Sequence, residues 1–336
     1  MIKGIWLTLN RFCNFRCSWC YAKNTKYDER KTMQIDLAKQ IISFTKLMGL
    51  KYVVLIGGEP TYYPYLFELL EFIKQQDLVA TIITNGYRFS NKSFVKEIET
   101  LLRGGISFSI QAASKEQQKR LTATDTFDNI LKAMCNLQEV NKFEVGYSVV
   151  LNSETIDNLE EFAQLVKNNA PGKDLLYILC NPIISKTDGI NCNYMVSRKD
   201  LIKKISEKWE RISDILDGHV YLEQSLPKCD WPQNFIDTQI NKKQFLFCCN
   251  IMSREKLIFN TNGELLVCNS LADFPIAKFG ETFRDIESFK SFWNSKVVKN
   301  LYKKFYEYPQ ERCIKCDSYD ECGGGCPLKH FENVHN

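Results

Sequence analysis

The sequence predicts an α/β protein built on a parallel sheet, and two observations carry that expectation. Short apolar runs of strand length alternate with longer segments of helical periodicity through the first half of the chain. Each of the first three strands also ends in an unusual stretch, as expected where chemistry collects at the C-terminal ends of parallel strands. Six strands, each separated by a helix, make repeated βαβ units. Right-handed crossovers would curl such a sheet into a barrel or part of one, a partial (β/α)6 TIM-like barrel.

Taken in order, Gly4 to Leu9 carries Ile5, Trp6 and Leu7 in a strand pattern and feeds directly into Cys13-Asn14-Phe15-Arg16-Cys17-Ser18-Trp19-Cys20. Residues 34–48 show helical periodicity through Ile35, Ala38, Ile41, Ile42 and Met48. Tyr52 to Ile56 is a continuous apolar run of the kind buried on both faces of a parallel sheet, and it ends in Gly57-Gly58-Glu59-Pro60. A helix over 64–75 leads to the strand Val79 to Ile83, which ends in Thr84-Asn85-Gly86. A helix over 91–102 precedes the strand Ile106 to Ile110, followed by Gln111. One long helix is expected over 114–139, then the strand Phe143 to Leu151, a helix over 157–168 and the strand Leu175 to Leu179.

Beyond about residue 180 the alternation fades. A helix over 197–216 is expected to pack across the barrel and bridge to a second region. There Lys256–Phe259 and Glu264–Val267 flank Asn262-Gly263, a strong hairpin signal, and the second strand runs to Cys268. The expected division is a core domain over 1–215 and a cysteine-rich domain over 216–336.

At 336 residues, with 44% hydrophobic and 25% charged, the composition is that of a globular protein long enough for a large core. No apolar run approaches the length of a membrane span, and Met1 to Trp6 shows no signal-peptide pattern, so a cytoplasmic location is expected. In a reducing compartment the 14 cysteines read as metal ligands before disulfides. A net charge of +4 is too small and dispersed to point to nucleic acid. The basic run Lys296, Lys299, Lys303 and Lys304 reads as the solvated face of a helix.

Cysteines at C-x3-C-x2-C spacing place three thiolates on one face of a tight loop. A cubane iron–sulfur cluster normally takes four, so three leave one iron open to a ligand. Trp19 offers a flat surface on which a nucleobase stacks. Half a zinc site or part of a disulfide framework are the other readings of this loop taken alone. Gly57 and Gly58 would let backbone approach a ligand closely, and Glu59 would accept from an ammonium group.

With its aromatic residue before the third cysteine, the loop resembles the signature of the radical S-adenosylmethionine (SAM) superfamily. The resemblance implies that the open iron chelates the methionine amino and carboxylate groups of SAM. One electron from the cluster then releases a 5′-deoxyadenosyl radical. It also implies that the stretch Gly57-Gly58-Glu59-Pro60 binds the SAM amino group. Ser109 matches the serine that contacts the ribose or carboxylate, with Asn85 and Arg120 as further polar candidates. The usual Ser-(apolar)-Asp-Gly pattern reads Ser109-Ile110-Gln111-Ala112 here, so any role of that Asp falls away.

The C-terminal run Cys313-x2-Cys316-x5-Cys322-x3-Cys326, with Gly263-x4-Cys268 and Cys248-Cys249 upstream, resembles the SPASM (twitch-like) extension of the same enzymes. A zinc ribbon is the alternative. The resemblance implies two auxiliary [4Fe–4S] clusters, three clusters in all. Cys313, Cys316 and Cys322 would hold the distal one. Cys268, Cys326 and one of Cys248 and Cys249 would hold the proximal one, with Cys229 as its fourth ligand. No cysteine follows Cys326, so His330, His335, an aspartate or an open iron would complete the distal site. Cys135 is expected in the core, while Cys180 and Cys192, nearer the rim, are candidate hydrogen donors.

The function implied is radical modification of a ribosomally made peptide, forming a thioether or carbon–carbon crosslink. Auxiliary clusters suit an oxidative reaction of that kind. Peptide epimerisation, a small-molecule dehydrogenase, and a non-catalytic zinc or iron–sulfur protein are the alternatives. Only twelve residues precede Cys13, which leaves no room there for a leader-binding domain, so a separate protein or the barrel rim itself would present the peptide. A flavodoxin- or ferredoxin-like reductant would supply the electron.

Overall fold

The computed structural model describes residues 2–24, 28, 30–186, 188–247, 249–306 and 311–329. Six strands, β1 (Gly4–Thr8), β2 (Tyr52–Ile56), β3 (Val79–Thr84), β4 (Gly104–Ser109), β5 (Glu144–Leu151) and β6 (Leu175–Leu179), lie side by side in chain order. Every neighbouring pair among them is parallel. The crossovers are α1 (Ile35–Leu47), α2 (Leu66–Gln75), α3 (Lys92–Leu101), α4 (Lys115–Thr122), α5 (Phe127–Gln138) and α6 (Leu159–Asn169). This is the α/β architecture with a parallel (β/α)6 core that the alternation predicts.

Strand side chains alternate in what they meet, as a period of two requires. Leu55, Ile82, Phe108, Val149 and Leu151 are buried in the core. Their neighbours Ile56, Ile83, Ser109, Val150 and Ile178 instead line a cavity at the C-terminal ends of the strands. The sheet thus gives one face to packing and the other to a ligand space.

The long helix expected over 114–139 is two helices. Ala123 takes φ +56° between them. The sequence there is Thr122-Ala123-Thr124-Asp125-Thr126, and its hydroxyls compete with the helix ladder. Thr122 Oγ1 donates to Gln118 O at 2.8 Å, and the hydroxyls of Thr122, Thr124 and Thr126 form a chain at 2.7 and 2.9 Å. The break leaves the last carbonyls of α4 without helical partners. Leu121 O and Thr122 O accept from Ser18 N–H at 3.1 Å and Arg16 N–H at 2.8 Å, so the end of α4 holds the cysteine loop.

The alternation also continues past residue 180. After a small antiparallel hairpin of β7 (Ile183–Ser185) and β8 (Gly189–Asn191), α7 (Arg198–Ile215) leads to β9 (Val220–Gln224), which is parallel to β6. Helix α7 does not bridge away from the sheet but covers it. Its Trp209 is fully buried against Tyr177 and Phe245 and donates from Nε1 to Gln244 Oε1 at 3.1 Å. Strand β10 (Phe245–Phe247) adds in parallel beyond β9.

At the opposite edge β11 (Lys256–Phe259) pairs in parallel with β1 and turns back through β12 (Glu264–Leu266) to β13 (Ala277–Lys278). The Asn262-Gly263 hairpin forms as expected, with Gly263 at φ +74°. Asn260 Oδ1 accepts from the N–H groups of Asn262 and Glu264, both at 3.0 Å. Among the described residues the sheet therefore has eleven strands, with β9 and β10 beyond β6 and β11 to β13 beyond β1. Among the described residues no helix is long and apolar enough to cross a membrane.

Candidate active site

A cavity of about 340 Å³ opens at the C-terminal ends of β2 to β6. It is walled on one side by the loop after β1, through Cys13, Cys17, Trp19 and Cys20. Gly57, Gly58 and Glu59 come from the end of β2, Asn85 from β3, Ser109 and Gln111 from β4, and Cys180 from β6. Three stretches singled out separately in the sequence thus share one space.

The two glycines serve a close approach of protein to protein, and both also line the cavity. A Cβ on Gly57 would stand 2.8 Å from Asn10 O, and one on Gly58 would stand 2.6 Å from Phe12 C. No side chain fits there, so the end of β2 lies directly on the chain leading into the cysteine loop. Gly58 N–H donates to Asn10 O at 2.8 Å and Glu59 N–H to Phe12 O at 2.7 Å. Asn10 Nδ2 returns a bond to Glu59 O at 3.0 Å.

Glu59 is 1% exposed and accepts four hydrogen bonds. Its Oε1 takes Thr61 N–H at 3.0 Å and the hydroxyls of Thr61 and Thr84, both at 2.6 Å. Oε2 takes Asn85 N–H at 2.7 Å. Burial pushes the carboxyl above its ordinary range, while the bonds from Asn85, Thr61 and Thr84 pull it back. Asn85 relays the link onward, because its Nδ2 donates to Asn14 Oδ1 at 2.8 Å and approaches Cys13 Sγ at 3.8 Å. Pro60 opens the short 3-10 turn that Glu59 caps.

Burial also pushes the Cys13 thiol up to about 12, with Glu59 and Cys20 adding to the effect. A thiolate at that position therefore needs a cation beside it, which an iron site supplies. The loop is further tied by Cys20 N–H to Cys17 O at 3.2 Å and by the Arg16 guanidinium on Cys13 O. Among the described residues no three His, Cys, Asp or Glu side chains sit close enough for one metal ion. Three thiols around a single space, none in a disulfide, are nonetheless the donor set that a four-iron cluster with one open iron takes. The residues present fit that group.

Trp19 is 8% exposed and lines the cavity, and Ser109 Oγ lies 3.3 Å from Ser148 Oγ on β5. Arg120 is elsewhere: on α4 its guanidinium pairs with Glu154, away from the lining residues. Cys180 lines both this cavity and an adjoining one of about 440 Å³ that also holds Cys192, Arg198 and Lys329. Burial pushes the Cys180 thiol up to about 11, so it keeps its proton at neutral pH. Cys192 is exposed and reaches only the adjoining cavity. Cys135 is exposed rather than in the core, since α5 buries Ala133, Met134 and Leu137 on its other side.

Tyr21 and Ser270 are among the lining residues that were not anticipated. Tyr21 follows the third cysteine, and its hydroxyl, pushed up to about 12 by burial, feels Cys13, Cys20 and also Cys268. Ser270 arrives from the turn after β12. The aromatic character of Tyr21 beside the motif was a usable signal. Ser270 had none, because its approach depends on β11 pairing with β1.

The C-terminal cysteines fall into two groups. Cys249, Cys268 and Cys326 pack together in a second apolar cluster. Burial and then the neighbouring Cys249 and Cys268 push the Cys326 thiol up to about 12. Cys248 lies outside the described residues, as do His330 and His335. Cys313, Cys316 and Cys322 line a separate cavity of about 290 Å³. Cys229 stands with these three and not with the proximal group, which corrects its expected place. The basic residues of the helix Lys296–Tyr306 are exposed, as expected.

A parallel half-barrel that gathers three loop thiols, a buried carboxylate and an aromatic wall at its strand ends defines an iron–sulfur enzyme scaffold with room for an organic ligand. Residues 7–166 match the family model described as the radical SAM superfamily. The chain is 30% identical over 341 residues to mycofactocin maturase MftC of Mycobacterium tuberculosis, covering 95% of this chain and 76% of that protein. It belongs to the radical SAM superfamily. A probable GTP 3′,8-cyclase of Saccharolobus islandicus is 27% identical over 170 residues, covering 50% of this chain and 54% of the cyclase. The chain thus spans about half the length of that relative. In fold it is similar to Streptococcus suis SuiB, solved bound to precursor peptide SuiA, with a TM-score of 0.74 at 16% identity. That likeness covers 99% of this chain and 73% of SuiB.

Proposed function

We propose that the protein is a peptide maturase that cleaves SAM and crosslinks a ribosomally made peptide. The observation that carries this reading is the cavity shared by Cys13, Cys17, Cys20, Trp19, Glu59, Ser109 and Cys180. The likeness to MftC and to SuiB, a protein solved with a precursor peptide, supports a peptide substrate. Cys13, Cys17 and Cys20 would hold the SAM-binding cluster, and the cysteines of residues 216–336 would hold two auxiliary clusters. When bound, a reduced cluster of this kind supplies the electron that splits SAM to a 5′-deoxyadenosyl radical. A flavodoxin- or ferredoxin-like protein is the proposed reductant, and a separate leader-binding protein is a proposed partner.

The chain's own residues position the reactants. Trp19 provides a face for the adenine, Glu59 an acceptor for the SAM ammonium, and Ser109 a hydroxyl for the ribose or carboxylate. Glu59→Gln removes a charge-assisted bond worth roughly 1.5–3 kcal/mol, so SAM affinity should fall about tenfold to a hundredfold. Calorimetric titration of the iron-loaded variant measures this. Unchanged affinity would remove Glu59 from the SAM site.

A second reading, epimerisation, is favoured by one observation: Cys180 faces the cavity with its proton retained. A thiol there can return a hydrogen atom to a substrate radical, whereas crosslinking removes two hydrogens and returns none. Turnover in deuterated water separates them. Crosslinking gives a product lighter by two mass units without deuterium. Epimerisation gives one unit more per modified residue, and Cys180→Ala abolishes that gain.

A further inference from the structure

We propose that Cys229 is the fourth ligand of the distal cluster, beside Cys313, Cys316 and Cys322. The inference rests on the reading of the C-terminal cysteines as cluster ligands. Cys313, Cys316 and Cys322 supply three thiols, and a cluster with four cysteine ligands leaves one iron to fill. Cys229 lines the same cavity of about 290 Å³ as those three, although it lies far upstream in sequence.

Its place there is set by backbone contacts. Pro227 caps a 3-10 turn, Lys228–Asp230, that carries Cys229. Lys228 N–H donates to Cys322 Sγ at 3.2 Å, so the residue before Cys229 already touches a member of the trio. Cys326 N–H donates to Ser225 O at 2.9 Å. Gly325, at φ +92°, lies so close that an added Cβ would stand 2.9 Å from Ser225 O and 3.0 Å from Pro227 Cδ. Residues 225–228 are therefore held against the cysteine run by main-chain contacts, and Cys229 follows them directly.

The rivals are weaker. Asp237 lines the same cavity, but its Oδ1 accepts Gln233 Nε2 at 2.9 Å, and an iron–sulfur cluster favours a thiolate over a carboxylate. The proximal trio of Cys249, Cys268 and Cys326 sits in a different cluster, which does not include Cys229.

The test uses the full chain, anaerobically reconstituted with iron and sulfide. Wild type should hold about twelve irons, and Cys229→Ala about eight to eleven with an altered spectrum of the reduced clusters. Asp237→Asn should match wild type. Because Cys229→Ala could unfold locally, alkylation mapped by mass spectrometry gives an independent readout on wild type. Cys135, exposed and outside every group, should be alkylated at least about tenfold faster than Cys229 in the loaded protein. Iron chelation should erase the difference, because Cys229 is exposed in the fold itself. Full iron content and an unchanged spectrum in Cys229→Ala, or rapid alkylation of Cys229 in loaded wild type, would overturn the assignment. Wild type holding only about four irons would instead overturn the auxiliary-cluster reading, and this assignment with it.

Discussion

Replacing Cys13, Cys17 and Cys20 together by Ala should abolish 5′-deoxyadenosine formation and remove about four irons, leaving the remaining iron in place. The selectivity follows from separation in the fold. The three loop thiols line the cavity at the ends of β2 to β6, while the C-terminal cysteines belong to two other packing groups. The fold itself should survive, since the loop is anchored by main-chain bonds at Arg16, Ser18 and Cys20 that the substitution leaves intact. Circular dichroism should thus match wild type while SAM cleavage falls to background. Stoichiometric zinc and no iron in wild type purified without oxygen would refute the reading at its base. Residual cleavage by the triple variant would show that the thiols of this loop are not the ligands.

The core was legible because its signals are local. Tyr52–Ile56 and Leu175–Leu179 agree with their expected bounds, since an unbroken apolar run bounded by turn residues leaves little freedom. The division of 114–139 was hidden because helical periodicity persists on both sides of Thr122. What ends α4 is partly the demand of the cysteine loop for acceptors, a tertiary cause. Strands β9 and β10 were missed because Val220–Gln224 is mixed in polarity and Phe245–Phe247 has only three residues. The site shows the same division. The stretches at Cys13 and Gly57 were readable from their residue types at strand ends, whereas Ser109 came only from the family resemblance. Arg120, a candidate polar contact to SAM, pairs with Glu154 and lies outside the lining. Cys229, expected with the proximal group, lines the cavity of Cys313, Cys316 and Cys322 instead, and the contact of Lys228 with Cys322 that helps set this place is not visible in sequence order.

Gly58→Ala should strongly damage the cysteine loop and the SAM site. The new Cβ would overlap Phe12 O and Arg11 O and stand 2.6 Å from Phe12 C. All are main-chain atoms, so no rotamer relieves the clash. The surrounding strand cannot yield either, because Gly58 and Glu59 N–H are bonded to Asn10 O and Phe12 O. The loop must move outward instead, and Asn85, which joins Glu59 to Asn14, moves with it or lets go. Overpacking of this sort costs about 1–3 kcal/mol of stability, which a urea midpoint measures. The larger effect should fall on the site: loss of most of the roughly four irons held by the loop, and of SAM binding with them. Gly146→Ala provides the control. Gly146 lies on β5, has no atom within 4 Å of an added Cβ, and should keep full iron content and near wild-type stability. If Gly58→Ala also retains its iron and its affinity for SAM, the close contact between the end of β2 and the cysteine loop is not what shapes the site.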